Sequence, residues 1–319
     1  MKPLSLIRSL LLGTSISLSS LPAPLVAQQT APAAMTDIQM KSAKVQLLTP
    51  GVGDRQPLRY RIPANFQQTA VMTLEMDQEM AIGGQAFPKV ATPAAAISWD
   101  QALTKVEPNG DMQMRFRYTE AKVLPKSTTP EAVTKQIQAE LEKMVGIQGE
   151  FVMTPVGAMK SGRMMFPEGV TPSVKQSMEQ MFQNVQNFGT IFPTEAIAPG
   201  ATWKVTNAIS FNGINITQVA TCELIERVGD RVVMNVQIEQ TAPPQQVKLS
   251  GMPTNVVTQI KSLTAKGSGK VELSLAEIVP TRSQVTLKQD LQMATSSDKA
   301  AQTIELSGKN TMVMTLEAK

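Results

Sequence analysis

VMTLEMDQEMAI, residues 71–82, is the stretch that decides the fold class. Met72, Leu74, Met76, Met80 and Ile82 fall on one side of an extended chain, and Thr73, Glu75, Asp77 and Glu79 on the other. Successive side chains of a strand point to opposite faces, so this is the period-two pattern of a sheet with one apolar and one wet face. Gln78 stands in the apolar row and interrupts it.

The same alternation recurs on both sides of that stretch. Ile97 to Val106 and Met112 to Val123 form two strands joined at Glu107-Pro108-Asn109-Gly110, a hairpin signal because Asn and Gly tolerate positive φ. Met112, Met114, Phe116 and Tyr118 make the apolar row of the second strand, and Arg115 and Arg117 its solvated face. Further strands are expected at Ala201 to Phe211, Ile214 to Val228, Arg231 to Thr241, Leu263 to Leu275, Thr281 to Ala294 and Ala301 to Leu316. Gly229-Asp230 and Ser296-Ser297-Asp298 supply turns. Gly267-Ser268-Gly269 lacks the following helix and further glycine of a dinucleotide loop, and reads as a turn. Sheets with one wet face are antiparallel as a rule.

Two segments switch to helical period. Thr129-Pro130 opens one with Val133, Ile137, Leu141, Met144 and Val145 on a stripe, closed by Gly146. Thr171-Pro172 opens the other with Val174, Met178, Met181, Phe182, Val185 and Phe188, closed by Gly189. Thr caps a helix start, Pro suits its first position, and Gly suits its end. The expected fold class is therefore α+β: a mainly antiparallel, curved, half-barrel-like sheet with two amphipathic helices packed on its apolar face.

Residues 1–27 carry Lys2 and Arg8, a short apolar run from Leu10 to Leu21, two prolines and Ala27 before Gln28. That order is a cleavable signal peptide; cleavage after Ala33 or Ala34 is the alternative. The run is shorter than the roughly 20 apolar residues a membrane span needs, so no transmembrane segment is expected in the mature chain. The protein is expected to be exported, to the periplasm or the cell exterior. Residues 28–55 are rich in Gln, Ala, Thr and Pro and read as a linker or poorly ordered arm, with a short strand at Val45 to Leu48. A strand–helix part follows at 56–190 and a β-rich part at 191–319.

Composition narrows the chemistry. The chain has no histidine, the commonest general base and metal ligand. Cys222 is the only cysteine, so no intramolecular disulfide forms; alternation puts it on an apolar face. Removing residues 1–27 removes Lys2 and Arg8 and no acid, so the formal charge falls from +4 to +2, with no basic patch for nucleic acid. The 20 methionines include Met178-x-x-Met181, Met112-x-Met114, Met312-x-Met314 and Met164-Met165. Thioethers bind Cu(I), but these residues sit on apolar faces, where Met fills cores or lines adaptable pockets. Glu75, Asp77 and Glu79 share a wet face, not a cleft.

Phe192-Pro193, then Pro199-Gly200-Ala201-Thr202-Trp203, followed by paired long strands and Gly267-x-Gly269, resembles a family of exported bacterial proteins known only as a domain of unknown function, over residues 57–319. The resemblance implies secretion and a β-rich fold, and no catalytic residue to carry over. The arrangement is also similar, in architecture alone, to the half-barrel lipoprotein carriers of the periplasm. The function expected is a non-catalytic exported binding protein, without cofactor or metal, carrying an apolar or lipid-like ligand between sheet and helices. Met178, Met181, Phe182, Val185, Met112, Met114 and Phe116 are the expected ligand-binding residues. The alternative is a structural or interaction module of the cell envelope, with a protein partner and a solid core.

Overall fold

The computed structural model describes residues 35–40, 42–87, 92–124, 129–184, 190–211, 213–247, 256–297 and 300–319. Two short strands lead: β1 (Met35–Gln39) and β2 (Lys44–Thr49). The expected strand at Val45 to Leu48 lies within β2, and the stretch read as an arm thus contributes two strands. A first meander follows: β3 (Gln67–Ile82) with the small β4 (Gln85–Ala86) folded onto it, then β5 (Ala94–Val106), β6 (Met112–Leu124), β7 (Gln148–Met153) and β8 (Met159–Met165). Helices α1 (Glu131–Glu142) and α2 (Pro172–Asn184) follow β6 and β8. The second meander is β9 (Thr202–Phe211), β10 (Ile214–Val228), β11 (Arg231–Ala242), β13 (Val256–Ser274), β14 (Arg282–Ser297) and β15 (Ala300–Ala318), with β12 (Gln245–Val247) beside β13.

All strands join one antiparallel sheet, in the order β1-β8-β7-β6-β5-β3-β15-β14-β13-β11-β10-β9-β2. The two halves of the chain are therefore one sheet, stitched along β3 and β15 from Ala70 opposite Ala318 to Ile82 opposite Leu306. Its edges, β1 and β2, are not paired to each other. Yet they are adjacent in sequence. Five Cα steps from Gln39 to Lys44 reach at most about 19 Å. The sheet must roll until its edges nearly meet, and it stops short of closure. α2 touches both β1 and β9, so it lies at this seam.

The roll buries one large core shared by both meanders. Met114, Ile147 and Met164 from the first and Trp203, Leu224 and Met234 from the second are fully buried. Each such Met or Leu contributes about 1.5–3 kcal/mol. The buried Trp203 donates its indole N–H to the Ile191 carbonyl at 2.9 Å. The segment from Leu58 to Phe66 laces the halves together: the Tyr60 amide bonds the Pro155 carbonyl and the Arg61 amide the Leu275 carbonyl.

The helices are seated differently. On α2, Met178 and Phe182 are buried. Phe182 stacks on Phe116, centroids 5.4 Å apart. Glycines on the strands beneath make room: a Cβ on Gly149 would lie 2.6 Å from the Phe116 ring, and one on Gly162 would collide with Phe182. α1 has no fully buried residue. Its Gln138 accepts from the Val123 amide and donates to the Ala121 carbonyl, at 2.8 and 3.1 Å. β7 pairs only with residues 112–117 of β6, so this side chain serves the strand edge beyond the ladder. Pro130 itself occupies the α1 N-cap, one position before its expected place inside the helix.

The Glu107–Asp111 hairpin forms as expected, with Gly110 at φ +86°. β13 is a correction. Gly267-Ser268-Gly269 is no turn; it lies inside a strand that runs from Val256 to Ser274. A Cβ on Gly267 would sit 2.5 Å from the Thr286 carbonyl oxygen. Bare positions of this kind let strands crowd together at a bend of a rolled sheet. The turn expected at Ser296-Ser297-Asp298 is bracketed by Ser297 opposite Ala300, and Asp298 lies outside the described residues. So do residues 1–34, which hold the expected signal peptide and its cleavage sites.

Candidate functional site

Six amide side chains line up across seven neighbouring strands on the inner face. Asn207 stands opposite Gln218, and Gln218 opposite Gln240. Gln240 faces Ala265, which faces Gln289. Gln289 faces Asn310, and Asn310 faces Gln78. The row two residues to one side is Val205, Ala220, Ile238, Gly267, Leu287, Met312 and Met76; to the other side it begins Ile209, Ile216, Ala242 and Leu263. A polar belt therefore divides two apolar zones of one surface. Gln240 Nε2 donates to Gln218 Oε1 at 2.7 Å, and Asn310 Nδ2 to Gln289 Oε1 at 3.0 Å. Asn207 and Gln218 are each 5% exposed. On β15 and β3 the belt and its neighbours, Asn310, Gln78, Met312 and Met76, are half-buried.

Beside the buried end of this belt lies a cavity of about 90 Å³. Cys222, Val236, Ile238, Val285, Leu287 and Met314 supply apolar lining, Asn207, Gln218 and Gln240 a polar margin, and Thr190 and Ser283 further polar groups away from the belt. The bare inner positions of Gly267 and Gly269 stand in register between Ile238 and Leu287 and between Val236 and Val285. Burial pushes the Cys222 thiol up to about 12, so it is an inert neutral wall at neutral pH. Two buried acceptors of the belt, Asn207 Oδ1 and Asn310 Oδ1, have no hydrogen-bond partner among the described residues. Leaving such a group unpaired costs about 1–3 kcal/mol. By contrast, the buried Gln68 Oε1 accepts from both Gln101 Nε2 and the Val279 amide.

Of the residues expected to bind ligand, Met112, Met114 and Phe116 alternate along the inner face of β6 and are buried, as are Met178 and Phe182. The structure brings Phe116 and Phe182 into contact within the main core. None of these five lines this cavity, which lies mainly among strands of the second meander. The Met181 side chain and Val185 lie outside the described residues. Sequence reading missed the belt, although Gln78 was its visible member.

The remaining chemistry is sparse. Arg115 and Arg117 are exposed, and share an open hollow of about 700 Å³ with Asp100 and Glu150, so both signs of charge are present. Glu75, Asp77 and Glu79 occupy the exposed face of β3. Among the described residues no three His, Cys, Asp or Glu side chains are grouped to hold a metal ion. Among the same residues no helix is long and apolar enough to cross a membrane. The chain matches no protein-family model and no curated protein.

Proposed function

We propose that this is an exported, non-catalytic binding protein that holds an apolar or lipid-like ligand inside its rolled sheet. The cavity beside the amide belt carries the reading: apolar walls with a few polar groups are the make-up of a small-molecule site. Its volume suits the end of a chain, since even a cavity of about 150 Å³ takes only a benzene-sized guest. Met312 and Met314 line the same cavity, and flexible thioethers re-pack around guests of different shape. The absence of histidine from the chain and the buried neutral thiol of Cys222 favour binding over catalysis. Export is part of the same reading. A cut near Gln28, or after Ala33 or Ala34, leaves β1 whole, because β1 begins at Met35.

Native mass spectrometry of the mature protein tests the proposal directly, and N-terminal sequencing of the exported form should begin near Gln28. A co-purified apolar molecule is expected, and Val236→Phe, which fills the cavity, should abolish its retention while the protein still folds. A protein that retains and binds no apolar molecule leaves the envelope-module reading, which the solid packing around Trp203 and Met114 favours.

A further inference from the structure

We infer that the ligand presents a neutral hydrogen-bond donor, a hydroxyl on an aliphatic chain, to Asn207 Oδ1. This rests on the binding reading above and gives the ligand its chemical class. Asn207 lines the cavity, is 5% exposed, and its carbonyl oxygen has no partner among the described residues. The neighbouring acceptor, Gln218 Oε1, already accepts one hydrogen bond from Gln240 Nε2, whereas Asn207 Oδ1 has none. The unfilled valence is therefore an acceptor at the buried end of the belt, and only a donor completes it. Among the described residues no carboxylate lines the cavity, so an ammonium group would be buried without a counter-charge, at a cost a hydroxyl avoids. The apolar side chains of Val236, Ile238 and Leu287 then enclose the first carbons of the chain. Met312 and Val285, both half-buried lining residues, mark the side by which the rest of the chain leaves.

Two isomers separate the donor from the apolar body: 1-pentanol and butyl methyl ether have the same atoms, and only the alcohol donates. Titration of each into the mature protein, followed by the methyl NMR signals of Met312 and Met314, reads both affinities. The expected result is binding of 1-pentanol about tenfold tighter than the ether, the ratio one buried hydrogen bond supplies. Asn207→Leu, close in shape and lacking the acceptor, should bind both isomers alike. Equal binding of the isomers by the natural protein overturns the inference and leaves the apolar-ligand reading standing; a water held on Asn207 would give this result. Binding of neither isomer overturns both. Should Asn207→Leu fail to fold, the comparison in the natural protein decides alone.

Discussion

Residue by residue, the inner face is written in small polar interruptions and glycines. Gln78, Asn207, Gln218, Gln240, Gln289 and Asn310 each break an apolar row on their own strands. Any one of them looks like an irregularity. That they face each other follows from register, which a period-two pattern does not fix between distant strands. The glycines of the inner face are unequal for a physical reason. A Cβ on Gly267 would press on the Thr286 carbonyl oxygen, whereas one on Gly308 would meet nothing closer than 3.7 Å. Gly267→Ala should therefore lower stability by about 1–3 kcal/mol, the usual cost of overpacking. Gly308→Ala should be neutral or raise stability by up to about 1 kcal/mol by restricting the unfolded chain. Urea unfolding of both variants checks the contrast; equal effects would show that the sheet at Gly267 is not tightly packed.

Among the elements, β1 carries more than its length suggests. It covers the outer edge of β8 through five residue pairs, Met35 opposite Met165 to Gln39 opposite Ser161. Its Ile38 is 3% exposed and belongs to the main core. Deleting the chain through Gln39 would expose a strand edge with free N–H and C=O groups, which templates pairing with other copies. The expected outcome is a lower melting temperature together with concentration-dependent self-association, seen by size exclusion with light scattering. A monomer that melts unchanged would remove β1 from the stabilising elements. Both helices were legible as helices from their period, although Pro130 and not Thr129 takes the α1 N-cap, and Phe182 could be placed on an apolar stripe. Their seats were not legible. α2 lies where it does because Gly149 and Gly162 clear a space for Phe116 and Phe182, and α1 because Gln138 answers the free edge of β6.

For the whole molecule, the missing histidines and the buried phenol and thiol groups set the response to pH. Burial raises the Cys222 thiol from 9.0 and the Tyr118 phenol from 10.0, each to about 12, and raises the Tyr60 phenol further. These acids are favoured neutral by the fold. Their contribution is complete below their ordinary values near 9 to 10 and is lost as pH rises towards about 12. Asp111 acts with the opposite sign: hydrogen-bonded by Lys160, its carboxyl is held below 3.8, so its contribution is present above that value and lost as pH falls beneath it. No histidine titrates between. Thermal melts should be flat from about pH 6 to 8 and fall above about pH 9; a stability maximum confined near pH 6–7 would contradict this. At this scale the division of labour between sequence and structure is clear. Alternation along single strands determined the antiparallel class, the wet and dry faces and most strand bounds, because side-chain direction is a local property of extended chain. Composition alone removed histidine and disulfide chemistry. Only tertiary structure decided that one sheet holds both halves, that β1 and β2 come to its two edges, and that six amides line up in one row with three of them beside a cavity. Those features depend on pairing between residues as far apart as Gln78 and Asn310, and the local pattern of neither strand specifies its partner.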